Sequence, residues 1–291
     1  MASGRFFWSR RALLASATAA WAIGGQRVSA RVESRPWRWG IDYGSDTNPE
    51  LARRYDLLVL EPDHARPIAP LRGAHSILLG YISLGEVEKS RGYFPTLLAK
   101  GALRQANPNW PDARMADLRH PAWRDVLLNT AIPAILERGY DGIFIDTTDN
   151  AEAMERADPI GNKDMVDAAA ELILAIRYRF PAIPIMLNRG YAVLPRVAGA
   201  VTYVLAEAMA SRWNFTRQAY ERLSEDDWAW QAVRVRNAQS ANPALHVMTL
   251  DYWDPKDVAT VAGFYARERA AGFLPYVSTV ALDRLLGEPG Q

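Results

Sequence analysis

The residues of this chain that could do chemistry are mostly carboxyl groups, and they recur directly after short apolar runs. The clearest case is GYDGIFIDTTDN, residues 139–150, where GIFI runs into Asp146 and then Asp149. YVLA precedes Glu207 in the same way. YISLGEVE places Tyr81 and Glu86 after another run, MLNRG places Asn188, and LDYWD places Asp251 and Tyr252. WGIDY ends in Asp42 and Tyr43, and LPYVS carries Tyr276. Hydrolysis of a glycosidic bond needs two carboxyl groups flanking it, one to protonate the leaving oxygen and one to act as nucleophile or to activate water. Asp146 and Glu207 are the candidate catalytic pair, because an apolar run before each gives it partly dry surroundings. Burial and a nearby like charge would keep one of them protonated. Asp149, one short turn on, rivals Asp146. Asp42, Tyr43, Tyr81, Glu86, Asp149, Asn188, Asp251, Tyr252 and Tyr276 are the candidate substrate contacts. Acids and amides grip hydroxyls or amines, and tyrosines offer flat faces to sugar rings.

These residues need a frame that brings distant strand ends together. Eight β-like runs occur, at 39–43, 56–61, 76–83, 142–146, 183–188, 200–207, 246–252 and 274–278. Most are near-continuous apolar runs, the signature of strands covered on both faces. Helical patterns lie between most of them, over 121–138, 163–179, 214–239 and 255–271, with Gly139 and Gly272 placed as C-terminal caps. Eightfold alternation of strand and helix predicts a single-domain (β/α)8 TIM barrel of class α/β, whose strand C-termini share one face and carry the active site. The connection over 83–118 is long for such a barrel and is expected to cover part of that site.

The ends and the composition set further bounds. Arg10 and Arg11 precede an apolar run, 12–25, and Val28-Ser29-Ala30 offers a small-residue cleavage site. Residues 1–30 therefore read as a removable twin-arginine signal peptide and 31–291 as the barrel domain, exported to the periplasm or secreted. The run is shorter than the roughly 20 residues of a spanning helix, so no membrane association is expected after cleavage. Removing Arg5, Arg10, Arg11 and Arg27 from the 34 Lys and Arg leaves 30 against 33 Asp and Glu, a formal charge of −3. That balance argues against nucleic acid as a partner. Without cysteine there is no disulfide, thiolate metal site or cysteine nucleophile. The four histidines have no ligand spacing, and neither a glycine-rich phosphate loop nor a G-x-S-x-G elbow is present. The expectation is an enzyme with no metal and no cofactor.

Blander roles compete at each position. Asp146 or Asp149 could cap the following helix. Glu207 could pair with Arg189 or Arg212. Asp117 reads as a loop or cap residue, and Trp228 and Trp230 as core. The tyrosines could be rim packing, and the whole barrel could bind polysaccharide without cleaving it.

As a set, YISLGEVE with Arg91, NPNWPDARMADLRHPAWRD, GYDGIFIDTTDN, MLNRG, VLAEA and LDYWD resemble glycoside hydrolase family 114, the endo-α-1,4-polygalactosaminidase-like TIM barrels. The resemblance covers about residues 37–283. It implies an endo-acting hydrolase of α-1,4-linked galactosamine or N-acetylgalactosamine polysaccharide, with the family's catalytic aspartate at Asp146 and its glutamate at Glu207. The family's third-strand element falls on Tyr81, Gly85 and Glu86. FIDTTDN is closer to bacterial members than to fungal polygalactosaminidases. An acidic cleft independently suits a cationic, partly deacetylated amino-sugar polymer, because carboxylates attract ammonium groups. The sequence leaves open which carboxyl is the acid, and whether configuration is retained or inverted.

Overall fold

The computed structural model describes residues 37–63, 67–108 and 110–290. The expected signal segment lies outside the described residues. Eight parallel strands run in sequence order around one sheet: β1 (Trp39–Asp42), β2 (Leu57–Leu60), β3 (Ile77–Ser83), β4 (Gly142–Asp146), β5 (Ile185–Asn188), β6 (Tyr203–Glu207), β7 (His246–Tyr252) and β8 (Leu274–Ser278). Each coincides with a predicted run, trimmed by a residue or more at some ends. The apolar continuity has the expected cause. All four residues of β2 are fully buried, with the barrel interior on one side and the helical layer on the other. β8 meets β1 through side chains. The Trp39 indole donates to the Leu274 carbonyl at 2.8 Å, and its ring packs on Tyr276 with centroids 5.5 Å apart.

The helices follow the sequence pattern with two corrections. The predicted helix 121–138 is broken by a π-turn, Leu127–Ala131, between Pro121–Val126 and Ile132–Glu137. Pro133 accounts for it, because it has no N–H to donate and its ring crowds the carbonyl four residues earlier. The second correction concerns 214–239. Its first part is an antiparallel hairpin, Ser211–Asn214 with Ala219–Arg222, and the helix is Glu225–Ala241. Asn214 Oδ1 accepts from the amides of Thr216 and Arg217 and turns the chain there, while Trp213 and Tyr220 pair across the strands at 4.7 Å. Ser224 then starts the helix with a capping box to Asp227. Gly139 (φ 96°) and Gly272 (φ 83°) take the left-handed conformation expected of C-terminal caps.

The long β3–β4 connection is a small structure of its own. It holds the helix Phe94–Ala99 and a three-stranded antiparallel sheet in the order Glu86–Glu88, Ala113–Ala116, Leu103–Ala106. Among the described residues no helix is long and apolar enough to cross a membrane.

Candidate active site

The C-terminal ends of the strands open on a cleft of about 890 Å³, walled by the β3–β4 excursion on one side and the 211–222 hairpin on another. At its floor are the ends of β4, β5 and β6. Asn188 Nδ2 donates to Asp146 Oδ1 at 2.8 Å and to Glu207 Oε2 at 2.5 Å. A single amide group thus spans the two acids. Glu207 has a second donor, Tyr252 Oη, which bonds its Oε1 at 2.7 Å. The result is a chain, Asp146–Asn188–Glu207–Tyr252, whose members come from β4, β5, β6 and β7 in turn, with Tyr81 of β3 beside Asp146 and close enough to lower its pKa. Tyr43 from β1 lines the same floor and meets Tyr81 edge to face, centroids 5.2 Å apart.

Local backbone makes this convergence possible. Thr147, Arg189 and Ala208, the residues directly after Asp146, Asn188 and Glu207, all have left-handed φ, at 58°, 48° and 54°. Non-glycine residues in this region cost of order 1–3 kcal/mol each. The chain therefore turns sharply away as soon as each functional side chain has been presented. Thr147 is held in place by its hydroxyl, which donates to the Asp146 carbonyl (2.8 Å), bonds Ser83 Oγ (2.6 Å) and accepts from the Gly85 amide (2.8 Å). Position 85 must be glycine, since a Cβ there would lie 2.2 Å from the Thr147 carbonyl.

The electrostatics favour the protonated form of Asp146. Burial pushes the Asp146 carboxyl up to about 6, and the Glu207 charge adds to the shift. Asn188, the Thr147 amide and Tyr81 pull it back. Burial first, and then the neighbouring acids, raise Tyr43, Tyr81 and Tyr252 well above the ordinary phenol value, so all three are hydrogen-bond donors at neutral pH. The ion pairs that competed for Glu207 do not form. Arg189 pairs with Asp149 at 3.1 Å and Arg212 with Glu221 at 2.6 Å.

Of the expected contacts, Tyr43, Tyr81, Glu86, Asn188 and Tyr252 line the cleft, together with Asp146 and Glu207. The structure does not bring Asp42, Asp149, Asp251 or Tyr276 to it. Side chains alternate along a strand. Ile41 and Tyr43 face the cleft, so Asp42 between them turns away and accepts from the Gly44 amide at 2.8 Å. Leu250 and Tyr252 likewise send Asp251 outward, where it accepts from the amides of Ala210 and Ser211 at 2.7 Å each and holds the hairpin to β7. Asp149 opens the helix Asp149–Ala157 and takes the Gly190 amide at 3.0 Å besides Arg189. Tyr276 fills the β8–β1 seam between Trp39 and Tyr55, and its hydroxyl accepts from the Leu286 amide.

Other lining residues had not been singled out. Trp110, from the β3–β4 excursion, and Phe215, from the hairpin tip, are 57% and 55% exposed and meet edge to face at 6.2 Å. Trp213 and Lys89 also line the cleft. The alternation of Trp213 and Phe215 with Arg212 and Asn214 is a strand signal that could have revealed the hairpin. Trp228 is partly buried and donates to Glu268 at 2.8 Å, whereas Trp230, expected in the core, is 48% exposed against Tyr191. Asp117 bonds Arg104 and Arg119 in its loop.

Comparison with known proteins agrees with this geometry. The structure of the glycoside hydrolase domain of PelA from Pseudomonas aeruginosa superposes with a TM-score of 0.75 at 27% identity, covering 87% of this chain and 98% of that one. Ega3 of Aspergillus fumigatus, solved in complex with galactosamine, shares the fold at a TM-score of 0.57 and 15% identity, over 85% of this chain and 92% of that one. An uncharacterised protein of Deinococcus radiodurans is 28% identical over 272 residues, 85% of this chain and 82% of its own length. The model of glycoside-hydrolase family GH114 matches residues 15–289. A barrel of this order, with two acids bridged on its floor and a family match over nearly its whole length, makes this chain a member of glycoside-hydrolase family GH114, and hence a glycoside hydrolase.

Proposed function

We propose that the protein is an endo-acting hydrolase of an α-1,4-linked galactosamine or N-acetylgalactosamine polysaccharide, with Asp146 and Glu207 as its two catalytic carboxyl groups. The observation that carries this is the Asn188 bridge. The two oxygens it binds can be no farther apart than its hydrogen bonds, 2.8 and 2.5 Å, laid end to end. Facing oxygens held this close favour the short carboxyl separation of retaining enzymes, roughly 5–5.5 Å, over the roughly 6.5–9.5 Å that leaves room for an attacking water. The proposed course is therefore two displacements. The protonated carboxyl of the pair gives its proton to the glycosidic oxygen while the ionised one attacks the anomeric carbon, and the carbon–oxygen bond to the leaving sugar breaks. Water then attacks the glycosyl-enzyme carbon, yielding its proton to the first carboxyl. The second carboxylate leaves, and both groups return to their starting states.

The substrate class rests on different support. The cleft is open rather than a closed pocket, which suits internal cleavage of a chain, and acids outnumber bases along it. Ega3, of the same fold, was solved with galactosamine. The twin-arginine segment makes export part of the same proposal. The test is a reducing-end assay of the mature protein on galactosaminogalactan, Pel polysaccharide, chitosan and neutral glycans, with Glu207→Gln alongside. Turnover is expected on galactosamine-containing chains only. Turnover retained by Glu207→Gln would refute its role, and turnover confined to neutral glycans would refute the substrate class.

A further inference from the structure

Of the carboxyl groups that line the cleft outside the bridged chain, Glu61, Glu86, Glu88 and Asp112, Glu86 is the buried one. Glu86 is 8% exposed and lines the cleft at the start of the β3–β4 excursion. Its Oε2 accepts from Asn107 Nδ2 at 2.6 Å and Asn150 Nδ2 at 3.3 Å. Among the described residues no donor reaches its Oε1, and no arginine or lysine pairs with it. The cations nearby are committed elsewhere: Arg91 to Glu61 at 2.6 Å, Lys89 to Asp112 at 3.0 Å and Arg212 to Glu221 at 2.6 Å. A carboxylate nine-tenths buried ordinarily has a cationic partner. This one has two neutral amides that fix one oxygen and leave the other without a donor.

Its position ties it to the reaction. Ser83 lies opposite Asp146 in the β3–β4 register, and the Glu86 amide donates to Ser83 Oγ at 3.2 Å. Tyr81, which stands beside Asp146, also feels the Glu86 charge. Glu86 thus starts from the strand end that lies opposite Asp146 and lines the same cleft as both acids.

We propose that Glu86 determines specificity, by receiving the protonated 2-amino group of a de-N-acetylated amino sugar next to the scissile bond. An ammonium supplies the missing positive charge and a donor for Oε1. An acetamide at the same carbon is neutral and larger, and its single N–H makes a weaker bond. This inference rests on the galactosamine reading above. Charge-assisted hydrogen bonds in such surroundings change affinity by roughly tenfold to a hundredfold.

The experiment compares α-1,4-galactosaminan oligosaccharides of one length, fully N-acetylated or fully de-N-acetylated, with kcat and KM determined separately for wild type, Glu86→Gln and Glu86→Asp. Gln keeps the size and one acceptor for the two asparagines. Asp keeps the charge and guards against a Gln variant that fails to fold. Wild type is expected to favour the de-N-acetylated chain by about tenfold to a hundredfold in KM. That ratio should fall towards one in Glu86→Gln and persist in Glu86→Asp. A role in shaping the loop alone would weaken both substrates equally and leave the ratio intact, which would overturn the inference while the galactosamine reading stands. Wild type cleaving neither polymer would refute both.

Discussion

Replacing Asn188 by alanine tests the bridge directly. The substitution removes one donor from each carboxylate. Asp146 keeps Tyr81 and the Thr147 amide, and Glu207 keeps Tyr252 at 2.7 Å. A hydrogen bond to a charged group is worth about 1.5–3 kcal/mol. If only one of the two lost bonds bears on the transition state, kcat/KM falls by about 10- to 150-fold. The sign of the pH effect follows from which form the amide favours. Asn188 donates to ionised Asp146 and pulls its pKa down, against the burial that lifts it to about 6. Without the amide the pKa of Asp146 rises further, so the limb of the kcat/KM profile that reports it moves to higher pH. The assay is reducing-end release across pH on a galactosamine polymer, with thermal melting to show that the variant is folded. A folded variant that loses less than about threefold and whose profile stays in place would show that the bridge does not tune the pair.

Three further outcomes are expected. Asp251 is 1% exposed and burial raises it to about 6, while the Ala210 and Ser211 amides pull it back. A folded-state pKa above the unfolded one stabilises the protein below the unfolded value, near pH 4, and that contribution is lost as pH climbs through about 6. The difference is about 3 kcal/mol, so Asp251→Asn should flatten chemical denaturation between pH 4 and pH 7.5, and an unchanged slope counts against it. Ala208→Gly relieves a left-handed alanine and is expected to raise stability by about 1 kcal/mol in urea; a clear loss would mean that the backbone there is unstrained. Trp110→Ala or Phe215→Ala, removing half of the exposed pair over the cleft, should raise KM for long chains by about threefold to tenfold, and unchanged KM values would assign the pair to the rim.

The chain alone determined the barrel and singled out the two acids that the structure brings together. Eight strands buried on two faces need eight apolar runs, and a run ending abruptly in an acid is visible without coordinates. Asp146 and Glu207, with Asn188, Tyr81 and Tyr252 at neighbouring strand ends, were therefore legible one by one. Which way each side chain faces was not. Alternation assigns neighbours to opposite faces, but a run apolar throughout gives no sign of which residue is inward. Asp42 and Asp251 passed for cleft residues for that reason, although Tyr43 and Tyr252 beside them occupy those places. Asp149 and Tyr276 were decided by partners that are distant in the chain, Gly190 and Arg189 for one and Trp39 and Leu286 for the other. The bridge itself, an amide between acids 42 residues before it and 19 after it, exists only because three strands lie side by side, β6 runs two residues past the pairing of Asn188 with Leu205, and the residues after all three strands turn left-handed. Distance along the chain carries no trace of that. The pairing and register of adjacent strands decided it.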